Sequence, residues 1–233
     1  MELSKRLQAV ADLVSGGLTV ADVGTDHGYI PIYLIESGKC EHAFAMDVNQ
    51  GPLLRAKEHI AEHGLEEQIE TRLSDGVKHL NVGECDAVVI AGMGGALTIK
   101  ILEEGKQIFK NLIEFILQPQ SELHKVRAYL LEQGYSIVAE DMVQEDGKFY
   151  PMMKVINGVS DAYHAIELRY GKWLLSKKHP VLKTFLNKEK RKKNMILQNL
   201  QKEGGLHVEV RRKEIEEELE GIEYALQRYY EGD

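Results

Sequence analysis

Residues 19–31 read TVADVGTDHGYIP, and this stretch decides the fold. A short β-forming run closes at Asp22, Gly24 and Gly28 bracket a turn, and Pro31 fits the first position of a helix, where its missing N–H costs no hydrogen bond. The order is strand, glycine loop, helix. Such a loop leaves the first N–H groups of the helix facing outward, and glycine lets a ligand approach the backbone closely, which suits an adenosine-type cofactor. A tight strand-to-helix turn that binds nothing would use the same residues, so the rest of the chain has to decide.

Working outward, residues 4–14 put Leu7, Val10 and Val14 on one helical stripe, with Ser4 as N-cap and Gly16-Gly17 as the stop. Lys5 and Arg6 face away from that stripe. Downstream, the helix from Pro31 ends at Gly38, residues 43–46 form a second strand closed by Asp47, and Asn49 caps a helix running to about His63. Residues 69–73 make a third strand before Ser74-Asp75-Gly76. The run AVVIA at residues 87–91 has the unbroken apolar character of a parallel strand buried on both faces, and it leads into Gly92-Met93-Gly94-Gly95. A helix to about Glu104, a fifth strand at 113–117 ending in Gln118-Pro119-Gln120 and a helix at 122–133 follow. Alternating strands and helices imply a doubly wound parallel sheet. Residues 135–143 and 148–156 then form two strands around Glu145-Asp146-Gly147, whose Asp-Gly pair signals an antiparallel hairpin.

Beyond Asp161 the pattern is helical, over 162–176 and 181–202, with Gly204-Gly205 as a break. Ile215, Leu219, Ile222, Leu226 and Tyr229 step by four and three, the seam of a coiled coil. The expected organisation is an α/β domain over residues 1–160 and a helical hairpin over residues 161–233.

The chain has 233 residues, 43% of them hydrophobic, enough for one such domain with an appendage. It contains no apolar run of membrane-spanning length and no signal peptide at its start, which points to a cytoplasmic protein that does not enter membranes. Cys40 and Cys85 lack CxxC spacing, which argues against a zinc site and a disulfide framework. His59 and His63 lie one helical turn apart, but Ile60 stands where a zincin has glutamate, so no metal is expected. A monomer is expected.

The net charge of −8 argues against a nucleic-acid partner until it is resolved along the chain. Residues 1–160 carry 14 Lys and Arg against 24 Asp and Glu, whereas residues 177–213 carry 12 against 3. A basic segment set apart from an acidic domain is the footprint of a polyphosphate partner, although a solvated helix face has the same composition. Lys188, Lys190, Arg191, Lys192 and Lys193 form its densest part.

Ligands of doubly wound sheets bind at the carboxyl ends of the strands, and each unusual cluster of this sequence falls at such an end. Asp47, after the second strand, is suited to accept hydrogen bonds from both hydroxyls of a ribose, and Asp75, after the third, from the exocyclic amine of adenine. Either carboxylate would equally serve as a cap or loop residue. The first loop has no middle glycine, and its Asp26 would repel a pyrophosphate but attract an ammonium or sulfonium. That favours S-adenosyl-L-methionine over NAD.

The segments DVGTDHGYIP, AMDVN, LSDG, AGMGG and LQPQ, in this order, closely resemble the bacterial tRNA (adenine-N1)-methyltransferases that modify adenine 22 of the D-arm. The resemblance runs to about Asn157 and continues into the helical tail, which in that family is a coiled-coil domain. It implies a Rossmann-like class I methyltransferase sheet and a tRNA partner. By this resemblance Gly24, Asp26 and Gly28, with His27 between them, belong to the loop contacting methionine. Asp47, with Val48 beside it, matches the ribose aspartate, and Asp75 with Gly76 the adenine-contacting pair. Ala91 and Gly92 adjoin the cofactor, while Met93, Gly94 and Gly95 belong to the loop beside the methyl group.

Adenine N1 has a free lone pair, so attack on a sulfonium methyl requires no deprotonation, and the product is a cation. Positioning, exclusion of water and a negative or dipolar surround are what the protein must supply. Asp26, Tyr29, Met93 and Gly94 are the expected groups at the reacting centre, Tyr29 as a stacking surface for a base drawn from its stack, with a core role open for Tyr29 and Met93. Gly95, Gln118 and Gln120 are expected to face the substrate, and Lys5, Arg6, Lys190, Arg191 and Lys193 to grip the RNA. The alternatives are a class I methyltransferase acting on another RNA or a small molecule, or an RNA-binding scaffold without catalysis.

Overall fold

A computed structural model describes residues 1–200 and 206–231, and its contacts divide the chain into two compact units, Met1–Ala162 and Tyr163–Asp233. In the first unit the strands are β1 (Val20–Val23), β2 (Ala43–Asp47), β3 (Ile69–Leu73), β4 (Ala87–Ala91), β5 (Glu114–Gln118), β6 (Tyr135–Glu145) and β7 (Lys148–Asn157). They form one sheet in the order β3-β2-β1-β4-β5-β7-β6. The first five are parallel, and β7 runs antiparallel to both β5 and β6. Every residue of β1 and of β5 is buried, as a strand covered on both faces requires. Strand order reverses between β1 and β4, which opens a crevice at their carboxyl ends. The β6–β7 turn places Asp146 and Gly147 at φ 49° and 74°, the two positive values that this tight hairpin needs.

Around the sheet lie α1 (Lys5–Leu13), α2 (Tyr29–Glu36), α3 (Gln50–Glu62), α4 (Gly95–Glu104), the single turn α5 (Lys106–Phe109) and α6 (Leu123–Glu132). Helix α1 is fastened at both ends. Ser4 Oγ accepts from the Leu7 N–H at 3.3 Å, and the backbone N–H of Lys5 donates to Glu145 Oε1 at 2.7 Å. At the other end, Lys39 Nζ donates to the carbonyls of Ala11, Asp12 and Val14, and Lys154 Nζ to that of Leu13. Cations at a helix carboxyl terminus satisfy its orphan carbonyls and oppose its dipole. Lys154 also pairs with the buried Glu114 at 2.7 Å, so α1 is tied to the sheet.

Local detail departs from expectation at several points. Helix α2 begins at Tyr29, so Pro31 is its third residue, because Gly28 at φ 68° turns the chain into the helix earlier. Asn49 precedes α3 but makes no capping bond with its side chain; its backbone N–H donates instead to Asp47 Oδ1. Helix α5 had no sequence signal.

In the second unit, Gly171 at φ 96° splits the expected first helix into α7 (Ala165–Tyr170) and α8 (Lys172–Ser176). Two long helices follow, α9 (Pro180–Leu200) and α10 (Leu206–Leu226), with a π-helical turn at Gln227–Glu231. Pairing of Lys190 with Glu223 and of Lys193 with Glu218 makes the two antiparallel. Of the seam residues, Ile215, Ile222 and Leu226 are buried together with Ala225, while Leu219 and Tyr229 are half-buried. The Gly204-Gly205 break lies outside the described residues.

Candidate active site

The loops after β1 and β4 meet across the crevice. Gly24, at φ 78°, and Thr25 both donate their N–H to the Met46 carbonyl at 2.8 Å, which folds the loop back over β2. The Met93 Cε methyl lies where a side chain on residue 24 would begin, and the positive φ favours glycine there. Met93 is half-buried in this contact, and its carbonyl accepts from the Gln120 N–H at 2.8 Å. Gly94 caps α4 by accepting from Thr98, both backbone and hydroxyl.

His27, Tyr29 and His59 form a cluster of near-parallel rings, with His27 centroids 5.2 Å from Tyr29 and 5.0 Å from His59. His27 sits at φ 62°, a costly conformation for a residue with a Cβ, and its carbonyl lies 3.1 Å from His59 Nδ1. Tyr29 is thus held on an aromatic platform at the mouth of the loop.

The carboxylates of the strand ends differ in their surroundings. Asp26 is exposed and pairs with Arg55 Nη2 of α3 at 3.0 Å, with His27 Nε2 3.5 Å away. Its charge is met by Arg55 across an exposed ion pair. Asp22, the neighbour in the first motif that the sequence reading passed over, is the buried acid of the site. Burial raises its pKa to about 6, against opposing effects of the Thr25 side chain and the Arg6 charge. An acid at the end of an otherwise apolar buried strand was the signal available for it.

Asp47 is half-buried with Oδ1 held by the Asn49 N–H at 2.7 Å, and Val48 beside it is exposed. Asp75 is exposed and paired with Lys78 at 2.5 Å, and that hydrogen bond holds its carboxyl below the usual range. Lys78 also reaches Glu104 at 2.9 Å, so Asp75 is engaged by its own loop. Gly76, at φ 61°, passes close to Ile101.

At the end of β4, Ala91 is half-buried and Gly92 takes φ 81°. The Gly92 N–H donates both to the Gln118 carbonyl at 3.1 Å and to Gln118 Oε1 at 3.2 Å. The same Oε1 accepts from Arg6 Nη1 at 3.1 Å, and the Arg6 guanidinium lies over the Tyr150 ring. Arg6 therefore belongs to the crevice, whereas the Lys5 side chain is solvent-facing. Gly95, expected to face substrate, is buried: a Cβ there would press on the Ser121 carbonyl, and its N–H donates to Ser121 Oγ. The missing Cβ lets α4 pack closely on Ser121. Arg55, His59 and Tyr150 had no motif to announce them, since each comes from a distant element.

The basic residues of α9 divide into two sets. Lys190 pairs with Glu223 at 2.9 Å and Lys193 with Glu218, both on α10, which engages them within the hairpin. Arg191 and Lys192 are exposed, with no carboxylate partner among the described residues.

Gly24 and Gly92 at positive φ on facing loops, a ribose-suited carboxylate at the next strand end and the reversal of strand order define a methyltransferase-type cofactor crevice, and a family model for a methyltransferase domain matches residues 3–153. The tRNA (adenine(22)-N(1))-methyltransferase of Bacillus subtilis (strain 168) is 40% identical over 172 residues, 73% of this chain and 72% of that one. The structure of Streptococcus pneumoniae Sp1610 in complex with S-adenosyl-L-methionine superposes with a TM-score of 0.87 at 34% identity, covering 97% of this chain and 100% of that one. That of M. capricolum TrmK in complex with S-adenosyl-homocysteine gives 0.85 at 28% identity, over 98% and 100%. The chain belongs to the tRNA (adenine(22)-N(1))-methyltransferase family.

Proposed function

We propose that the protein transfers the methyl group of S-adenosyl-L-methionine to N1 of adenine 22 in tRNA. The observation that carries this reading is the meeting of Gly24 and Met93 across the β1–β4 crevice, which brings the cofactor loop and the base-side loop into contact. The residues present fit the cofactor. Gly92 leaves open the backbone surface that a Cβ would fill, Asp47 has a carboxylate oxygen available for ribose hydroxyls, and Val48 offers an apolar face for adenine. Asp75, whose Oδ2 is bonded to Lys78, has its other carboxylate oxygen for the adenine amine.

When bound, the sulfonium supplies an electrophilic methyl group. The chain's own part is to position and to exclude water. Tyr29, held by His27 and His59, provides a flat surface for a base drawn from its stack, which lowers the cost of unstacking. Met93 and the Gly94 backbone line the opposite side. Adenine N1 attacks with its own lone pair, so no side chain has to take a proton, and the backbone carbonyls of the loop after β4 offer dipoles to the cationic product.

Arg191 and Lys192 of α9 are the best placed cations for phosphate, and the enzyme works where tRNA is, in the cytoplasm. The test is methylation of two transcripts of one tRNA, carrying adenine or guanine at position 22, with labelled cofactor. Label is expected as 1-methyladenosine in the first only. Equal incorporation into both would overturn the assignment of the target.

A further inference from the structure

The sheet ends at β3 on one side, and the outer edge of that strand is bare. Its ladder to β2 uses alternate residues. The Ala43 N–H donates to the Gln68 carbonyl at 2.9 Å and the Ser74 N–H to the Asp47 carbonyl at 2.8 Å, so Ile69, Thr71 and Leu73 direct their backbone groups outward. Two of these groups are taken within the chain, the Ile69 N–H by the Leu65 carbonyl at 3.0 Å and the Leu73 carbonyl by the His79 ring, whose Nδ1 is 2.6 Å away. The Ile69 carbonyl, both backbone groups of Thr71 and the Leu73 N–H take no bond among the described residues. An edge of this kind is ordinarily blunted by proline, lysine or a bulge. Residues 69–73, IETRL, contain neither proline nor lysine, and their register with β2 is unbroken.

The free groups have a symmetry. Laid antiparallel on a second copy of itself about Thr71, the strand sets Thr71 against Thr71, Glu70 against Arg72 and Ile69 against Leu73. The two Thr71 residues exchange N–H···O bonds, and each Leu73 N–H meets the Ile69 carbonyl of the other copy. These bonds use every free group once, and the one ladder bond that they omit, from the Ile69 N–H to the Leu73 carbonyl, joins the groups already engaged within the chain. The charges select the same centre. Glu70 stands opposite Arg72 of the second copy, whereas a centre at residue 70 or 72 would set like charges face to face. Beyond the strand Glu67 approaches Asp75 of the second copy, which confines the pairing to residues 69–73.

Ile69, Thr71 and Leu73 turn their side chains toward α3. There an open groove of about 240 Å³ is lined by Gln50, Leu53, Leu54, Lys57, Thr71 and Leu73, with Leu54 59% and Leu73 45% exposed. Exposed leucines beside a bare edge add apolar area to the backbone bonds. We propose that β3 is a self-association surface, pairing antiparallel about Thr71 with β3 of a second copy so that two seven-stranded sheets continue into one another. The occupant is a second copy rather than an unrelated peptide because free groups and charges are self-complementary in one register. A short strand with a leucine rim makes a weak, reversible interface, and the monomer expected from the sequence is its dilute form.

Sedimentation velocity of the full-length protein tests this, with half-association expected within about 1–100 µM. Leu54→Lys, which brings cations to both sides of the two-fold axis, should weaken association about tenfold or more, while Ile113→Lys, at a comparably exposed apolar residue away from the edge, should stay within about twofold. Register is read by cross-linking. Residues opposed in a hydrogen-bonded pair have Cα atoms about 5.5 Å apart, within disulfide reach, so Thr71→Cys should form a covalent dimer on oxidation. Glu70→Cys, which faces residue 72, should not, and the parent, whose Cys40 and Cys85 are buried, gives the baseline. A single chain throughout that concentration range, undiminished association in Leu54→Lys, a loss of the same size in Ile113→Lys, or equal cross-linking from positions 70 and 71 would each overturn the proposal.

Discussion

In the first unit Arg127 and Glu140 meet at 2.8 Å with side chains 1% and 0% exposed, and in the second Lys190 and Glu223 meet at 2.9 Å with 38% and 50% exposed. The distances are nearly equal, and the surroundings differ completely. In the buried pair neither ion has water to replace its partner. In the exposed pair water and salt replace the partner at little cost. The same contrast separates other polar residues of the two units: Asp22 and Gln118 are buried and Arg6 is bonded to Gln118, whereas Arg191 and Lys192 are exposed.

The largest effect is expected at the buried pair. Glu140→Ala should destabilise the first unit by about 3–5 kcal/mol in urea unfolding, because it removes the carboxylate bonded to a buried guanidinium. Lys190→Ala, by contrast, should cost about 0–1 kcal/mol. Similar losses for the two would break the comparison.

Asp22 gives an intermediate effect with a definite sign. Its folded-state pKa of about 6 lies above the unfolded value of 3.8, so between those values the folded state holds the proton more tightly. Stability is therefore highest below about pH 4 and is lost as pH rises toward 6, by about 3 kcal/mol for a shift of roughly two units. Asp22→Asn should abolish that component, visible as a parent-minus-variant difference in unfolding free energy that grows from pH 4 to 6 and then levels off. A flat difference would mean that Asp22 is not buried as an acid.

The smallest effects belong to the exposed cations. Each phosphate contact contributes close to one unit to the slope of log affinity against log salt. Changing Arg191 and Lys192 together to Ser should flatten the slope for tRNA binding by about two units, and Lys190 and Lys193 by less than one. A larger change for the second pair would show that their partners on α10 release them to RNA.

The sheet was legible because its strands are apolar runs punctuated by glycine and acid, and the clusters at residues 24–28, 47, 75 and 92–95 mark the strand ends. The helical seam was legible through the spacing of Ile215 and Ile222. What the sequence could not display are partners drawn from distant elements. Arg55 lies on the far side of a βα unit from Asp26, and Glu218 and Glu223 reach Lys193 and Lys190 only once the hairpin has folded. The sequence pattern did not show that Asp26 pairs with Arg55 while Asp22 is buried, or that Arg6 bonds Gln118 at the end of β5. Nor did it show that Gly95 packs against Ser121, since a missing Cβ serves packing and ligand approach alike.

The strand ends are held to form one cofactor site, and Asp47 at the end of β2 is its simplest handle, being half-buried with its side chain bonded to the Asn49 N–H of its own loop. Titration of Asp47→Ala with S-adenosyl-L-homocysteine should show a loss of about 1.5–3 kcal/mol in binding, with the unfolding midpoint little changed. Affinity within twofold of the parent would contradict the account, leaving Asp47 a loop residue and the ribose to be held elsewhere.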